Sequence, residues 1–168
     1  MVTRKTIHFV KIFIKKSEMR AIIQRVSEAS VFIANKKHSS IDQGLLVFVG
    51  WGIDDMAKDS DWMIRKILNM RIFKDHEDVM NRSIIEIQGQ ILVVSQFTLH
   101  ASIKKGNRPS YIRSANTETA KPLYEDFLEK LWRISNLPIK SGVFGADMKI
   151  KSINDGPITI NIDSKNKE

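Results

Sequence analysis

The residues placed to do chemistry stand at the end of an apolar run. Ile91-Leu92-Val93-Val94 leads directly into Ser95-Gln96-Phe97-Thr98-Leu99, and a short unbroken run of this kind is expected to form a core strand. If strand alternation continues, Ser95, Phe97 and Leu99 point to one face and Gln96 and Thr98 to the other. Three hydrogen-bonding side chains and free backbone N–H groups then stand at a strand exit, where a rigid sheet commonly presents binding and catalytic groups. The competing account is an ordinary strand-to-loop transition in which Ser, Gln and Thr satisfy loose backbone groups. Thr98 as a nucleophile needs an adjacent base, and no Ser/Thr–His–Asp constellation supplies one. His100 is the nearest candidate, but a lone histidine is more often a surface or packing group.

A second segment, Asn154-Asp155-Gly156-Pro157-Ile158-Thr159-Ile160, puts Gly-Pro at the entry to an alternating stretch. Turn chemistry alone accounts for it, since proline suits the first residue of a strand. Together, Ser95-Gln96-Phe97-Thr98-Leu99 and Asn154-Asp155-Gly156-Pro157-Ile158-Thr159 resemble the two signature segments of the D-aminoacyl-tRNA deacylases, formerly called D-tyrosyl-tRNA deacylases. Met19-Arg20-Ala21-Ile22-Ile23-Gln24-Arg25-Val26, Lys105-Gly106-Asn107-Arg108-Pro109-Ser110 and Phe144-Gly145-Ala146-Asp147-Met148 extend the resemblance, in family order, over residues 19–163. Departures are slight: Tyr111 stands where Phe is usual and Ile158 where Val is usual.

The resemblance implies a function and a site. The reaction is hydrolysis of the ester of D-aminoacyl-tRNA, and of mischarged glycyl-tRNA, to free amino acid and tRNA. It enforces homochirality in translation. Ser95, Gln96, Phe97 and Thr98 form the catalytic set. Backbone N–H groups near Phe97 and Thr98 meet the oxyanion, Thr98 orients, and Ser95 and Gln96 shape an adenosine pocket. A ribose hydroxyl of the tRNA assists attack by water. Gly156-Pro157, with a cis bond, reaches across a homodimer into the partner's site and excludes L side chains. Arg25 matches the arginine that steadies this motif, an exposed strand residue being the competing account. Lys104, Lys105, Arg108 and Arg113 could meet tRNA phosphates, or form a merely solvated basic loop. No cofactor, metal or membrane is implied, and the expected location is cytoplasmic.

The remaining sequence bounds these readings. A chain of 168 residues suits one domain, expected over residues 19–168, with residues 1–18 a dispensable extension. That extension carries five basic residues against Glu18, half of the formal charge of +8, so the body is only mildly basic. Its apolar stretch is broken by Lys11 and followed by no small-residue cleavage site, which argues against a secretory signal. The lack of cysteine removes disulfides, thiolate nucleophiles and zinc–thiolate sites together. Phosphate-loop, dinucleotide and His-Glu-x-x-His motifs are missing. A non-catalytic RNA-binding module and a small-molecule esterase are the competing functions. The first sits poorly with two intact signatures, and the second lacks a nucleophile and base.

Several elements position the candidates. Residues 21–26 and 30–34 read as strands joined through Ser27-Glu28-Ala29, and residues 44–50 as a buried strand. A helix is predicted over 56–70 with Met63, Ile67 and Met70 on one face, and Asp54, Asp55, Asp59 and Asp61 suiting its N-terminal end. A second is predicted over 117–134, with Pro122 near its first turn and a core stripe from Ala120 to Ile134. Trp132 is expected to pack, and Met148 to fill a core gap rather than reach a ligand. Order and type give a compact α/β domain. The family fold implied is a mixed, largely antiparallel sheet curved into two barrel-like layers, with helices packed on one side.

Overall fold

The sheet is built on one long strand, β1 (Arg20–Ile33). A computed structural model describes residues 18–167, so the extension expected over residues 1–18 lies outside the described residues except for Glu18. The two strands predicted over 21–26 and 30–34 are a single one, because Ser27-Glu28-Ala29 is absorbed by a bulge rather than a turn. Two residues of β1 there oppose one of its neighbour, which reverses the faces of the alternating side chains. Ala21 and Ile23 accordingly pack on the helical side, whereas Ala29 and Val31 enter a second apolar cluster. Ala34 belongs to the following turn, with Asn35, both at positive φ.

β1 pairs with β2 (Lys36–Ile41), β3 (Gly44–Gly50) and the C-terminal β8 (Lys149–Asp163), all antiparallel. β3 pairs in parallel with β6 (Gln90–Ser95), and β6 with β7 (Ile139–Ser141), giving a six-stranded mixed sheet that is nearly closed and barrel-like. Parallel neighbours require crossovers. The first contains α1 (Ala57–Asn69) and a small hairpin of β4 (Phe73–Lys74) and β5 (Met80–Arg82); the second is α2 (Thr117–Ser135). Both helices lie over one face, where Leu45, Val47, Val49, Ile91 and Val93 meet Met63, Ile67, Tyr124, Phe127 and Leu131. The intervening residues Leu46, Leu92 and Val94 fill the other cluster with Val26 and Ile41.

Local chemistry sets the helix ends. Asp59 accepts from the Met56 N–H at 3.0 Å at the start of α1, so one of the acidic residues there is a capping group. Asn116 caps α2 by accepting from the Thr119 N–H at 2.9 Å, and Asn136 ends it in the left-handed region. Pro122 is the sixth residue of α2, one turn later than expected, and lies on the exposed side where water can reach the carbonyl it leaves unbonded. The apolar stripe also ends early. Ile134 is 55% exposed and Trp132 is 60% exposed, because the buried row runs from Leu131 to Ser135. No helix among the described residues is long and apolar enough to cross a membrane.

Candidate active site

Two parallel strand ends build the site. β3 and β6 run in register, Val49 beside Ser95, and the Gln96 N–H donates to the Val49 carbonyl at 2.7 Å. Gly50 permits the approach: a Cβ there would stand 2.5 Å from the Gln96 carbonyl oxygen. Strand geometry stops at Ser95, and Phe97–His100 forms a single 3-10 turn. The alternation expected through Leu99 therefore fails, because the chain turns back where its ladder partner ends.

That turn leaves donors free. Leu99 N–H bonds to the Gln96 carbonyl at 3.3 Å and Ala101 N–H to that of Thr98 at 3.0 Å. The first N–H groups of any helical turn lack partners within it; among the described residues those of Phe97 and Thr98 donate no hydrogen bond. The Gln96 side-chain amide donates to Thr98 Oγ1 and fixes the hydroxyl. No carboxylate or imidazole bonds to it among the described residues.

His100 is not placed as a base. It is buried, 3% exposed, with Nε2 unpartnered, and its ring packs against Gly50 at the end of β3. Burial pushes its imidazole below the ordinary histidine value of 6.5, outweighing a hydrogen bond with Gly50, and the Arg20 charge adds to the effect.

Ser95, Gln96 and Phe97 line a cleft of about 580 Å³, while Thr98 stands half-buried beside it. Tyr111, Asn116, Phe144 and Met148 form facing walls. Phe97 is 56% exposed and meets Tyr111 edge-on, ring centroids 5.0 Å apart. Met148 both lines this cleft and packs its sulfur over Gly142, so it reaches the candidate ligand space as well as filling a gap. Tyr111, Asn116 and Phe144 sit outside any periodic pattern; the segment Phe144-Gly145-Ala146-Asp147-Met148 offered a signal for Phe144, and Tyr111 was marked only as a departure after Lys105-Gly106-Asn107-Arg108-Pro109-Ser110.

Gly156 and Pro157 lie elsewhere on the same chain. β8 advances from Asn154 to Thr159 while β1 advances only from Val26 back to Gln24, so residues 155–158 bulge outward and the dipeptide is exposed. The Gly156–Pro157 bond is cis, and Gly156 has φ +120, where a Cβ would also stand 2.9 Å from Arg25 Nη2. Arg25 is buried at 4% exposure, not an exposed strand residue. Its Nη1 donates to the Ile72 carbonyl at 2.6 Å, and its Nε donates to the Asp155 carbonyl at 3.2 Å and pairs with the Asp155 carboxylate at 3.1 Å. It therefore fastens the bulge to the body. Arg25 is five residues along β1 from Arg20, which pairs with Gly50 at the strand-exit end. Strand rise makes that about 16 Å. The two signatures are not brought together within one chain.

Lys104, Lys105 and Arg108 occupy an exposed tip closed by Ser102 and Ser110, and Arg113, also exposed, follows it in the chain. None of the four pairs with a carboxylate among the described residues. No group of three or more His, Cys, Asp or Glu among the described residues is arranged to hold a metal.

Comparison with known proteins gives this geometry a context. The family model for D-Tyr-tRNA(Tyr) deacylase matches residues 22–163. The chain is 55% identical over 150 residues to D-aminoacyl-tRNA deacylases of Flavobacterium johnsoniae and Bacteroides thetaiotaomicron, covering 89% of this chain and 100% of each relative. The Cytophaga hutchinsonii D-aminoacyl-tRNA deacylase is 56% identical over the same length and coverage. A solved structure titled c-Myc DNA Unwinding Element Binding Protein superposes with a TM-score of 0.82 at 40% identity, covering 85% of this chain and 97% of that one. Matched from β1 to β8 by the family model and along the whole length of these relatives, the chain belongs to the D-aminoacyl-tRNA deacylase family, hydrolases that act on D-aminoacyl-tRNA.

Proposed function

We propose that the cleft beside residues 95–98 receives the aminoacylated 3′ end of tRNA and hydrolyses the ester by positioning and hydrogen bonding, without a protein nucleophile. The observation that carries this is the pair of unbonded N–H groups at the start of the 3-10 turn, that of Phe97, which lines the cleft, and that of Thr98, the next residue. Water adds to the ester carbonyl, and its oxygen becomes an oxyanion that these two groups stabilise. Collapse releases the amino acid, and the ribose oxygen leaves with a proton relayed through the neighbouring ribose hydroxyl. Thr98 orients through Gln96, and Ser95 and Gln96 frame the adenosine. Orientation and preorganised donors are each worth several kcal/mol, about 7 or more for orientation at its best.

Gly156-Pro157 supplies stereochemical selection from a second copy of the chain. Its separation from residues 95–98 within one chain, its exposure and the Arg25 support all favour this reading. Rejection then acts on any L side chain, so D-amino acids of many kinds and glycine pass. Lys104, Lys105, Arg108 and Arg113 meet phosphates of the acceptor end. Residues 19–168 act as one domain in the cytoplasm, and residues 1–18 are dispensable for activity.

One assay tests the reading: D-Tyr-tRNA, L-Tyr-tRNA, Gly-tRNA and a simple D-tyrosine ester, each incubated with the protein. Release from the D and glycyl substrates alone supports it. Release from the simple ester contradicts tRNA-assisted chemistry, and release of L-tyrosine contradicts the filter.

A further inference from the structure

The candidate turn is held from behind by a residue outside both signatures. Arg20 Nη1 donates to the Leu99 carbonyl at 3.0 Å, across 79 residues of sequence. The same guanidinium is fixed by Asp163 Oδ2 at 3.2 Å and Glu18 Oε2 at 3.4 Å, joining the start of β1 to the end of β8. Leu99 lies inside the 3-10 turn, whose own bonds use the Gln96 and Thr98 carbonyls. A rigid planar donor anchored by two carboxylates suits this task better than a flexible ammonium.

Resting on the reading that the Phe97 and Thr98 N–H groups meet the oxyanion, we propose that Arg20 is a positioning residue. It sets the pitch of the turn by clamping Leu99, and so the direction of those two donors. It touches no substrate. Arg20 and Leu99 both wall a second cleft, of about 1050 Å³, on a side that excludes residues 95–97. Small solutes therefore have a route to the clamp that does not pass the substrate.

The test compares wild type, Arg20→Met, Arg20→Lys and Phe97→Pro on D-Tyr-tRNA. Arg20→Met is expected to lower kcat by about ten- to a hundredfold with KM within about twofold, since misplacement of about 1 Å has that effect. Arg20→Lys should recover part of the rate, and added guanidinium ion should raise kcat of Arg20→Met while leaving wild type unchanged. The Thr98 amide resonance should move in Arg20→Met and return with guanidinium. Unchanged kcat in folded Arg20→Met, or a loss that no guanidinium restores and that follows the melting temperature, overturns the proposal. If Arg20→Met does not fold, a folded Arg20→Lys with wild-type kcat overturns it equally. Phe97→Pro separates the two levels: if it is fully active, the oxyanion reading itself fails. If it is impaired and Arg20→Met is not, only the clamp fails.

Discussion

Arg25→Met removes the fastening of the Gly156-Pro157 bulge while keeping most of the side chain's volume. The bond from Nη1 to the Ile72 carbonyl is buried, and losing a charged partner there costs about 1.5–3 kcal/mol. The bond to the Asp155 carbonyl adds about 1 kcal/mol, because that residue is exposed and water can replace the donor. The Asp155 carboxylate is 48% exposed, so its ion pair adds at most about 1 kcal/mol. The expected loss is thus about 2.5–5 kcal/mol, at most the lower end of the roughly 5–15 kcal/mol by which domains of this kind are stable. The variant should fold, with an unfolding midpoint in urea lowered accordingly. Deacylation of D-Tyr-tRNA should fall and the ratio of D to L rates should narrow, because residues 155–158 lose their tie to the body. A variant less stable by under about 1 kcal/mol, with wild-type rates and D/L ratio, would refute the reasoning.

Tyr124→Phe should destabilise by only about 1 kcal/mol in urea unfolding, since the Val93 carbonyl that takes the Tyr124 hydroxyl at 3.0 Å also accepts from the Gly142 N–H. Burial pushes that phenol up to about 12, so its absorbance should not show ionisation at moderately alkaline pH. His100 is held below 6.5 in the folded chain, so the unfolded chain binds the extra proton first and stability falls as pH drops below about 6.5. Arg20, Asp55 and Asp163 are the charged groups acting on it, and the urea midpoint of His100→Gln should depend less on pH between about 7 and 5. Gly50→Ala should lower kcat, because the added methyl meets the Gln96 carbonyl oxygen that closes the turn; a wild-type rate would show that the strand exit tolerates displacement.

The elements with a regular period were legible from residues alone. β3 spans Gly44–Gly50 as read, and both helices end within about a residue of their expected bounds, because periodic apolar faces and asparagine or aspartate caps mark them. What lacked a period was misread or missed. A four-residue 3-10 turn carries no repeat, so the chain after Ser95 looked like more strand. The bulge in β1 hides inside polar residues that equally suit a turn, which split one strand into two. β2, β4, β5 and β7 are short or polar and gave no apolar signal. The expected catalytic set and the Gly-Pro motif came from resemblance, and no pattern in the sequence could have put Tyr111 or Asn116 in one cleft with Phe97 or linked Arg20 to Leu99.

Mixing two disabled chains tests the central claim, that residues 95–98 of one chain work with Gly156-Pro157 of another. Phe97→Pro removes a donor at a position that opens the turn, after a Gln96 (φ −144, ψ 86) that lies outside the helical region a following proline disfavours. Pro157→Ala disables the other motif. Each variant alone should be nearly inactive on D-Tyr-tRNA. Unfolded together and refolded, they should form mixed dimers in which one of the two sites combines the intact turn with the intact motif. Activity should return to about a quarter of the wild-type level, half of the dimers each carrying one working site. No return of activity, from mixtures shown by mass to contain mixed dimers, would contradict the cross-chain site.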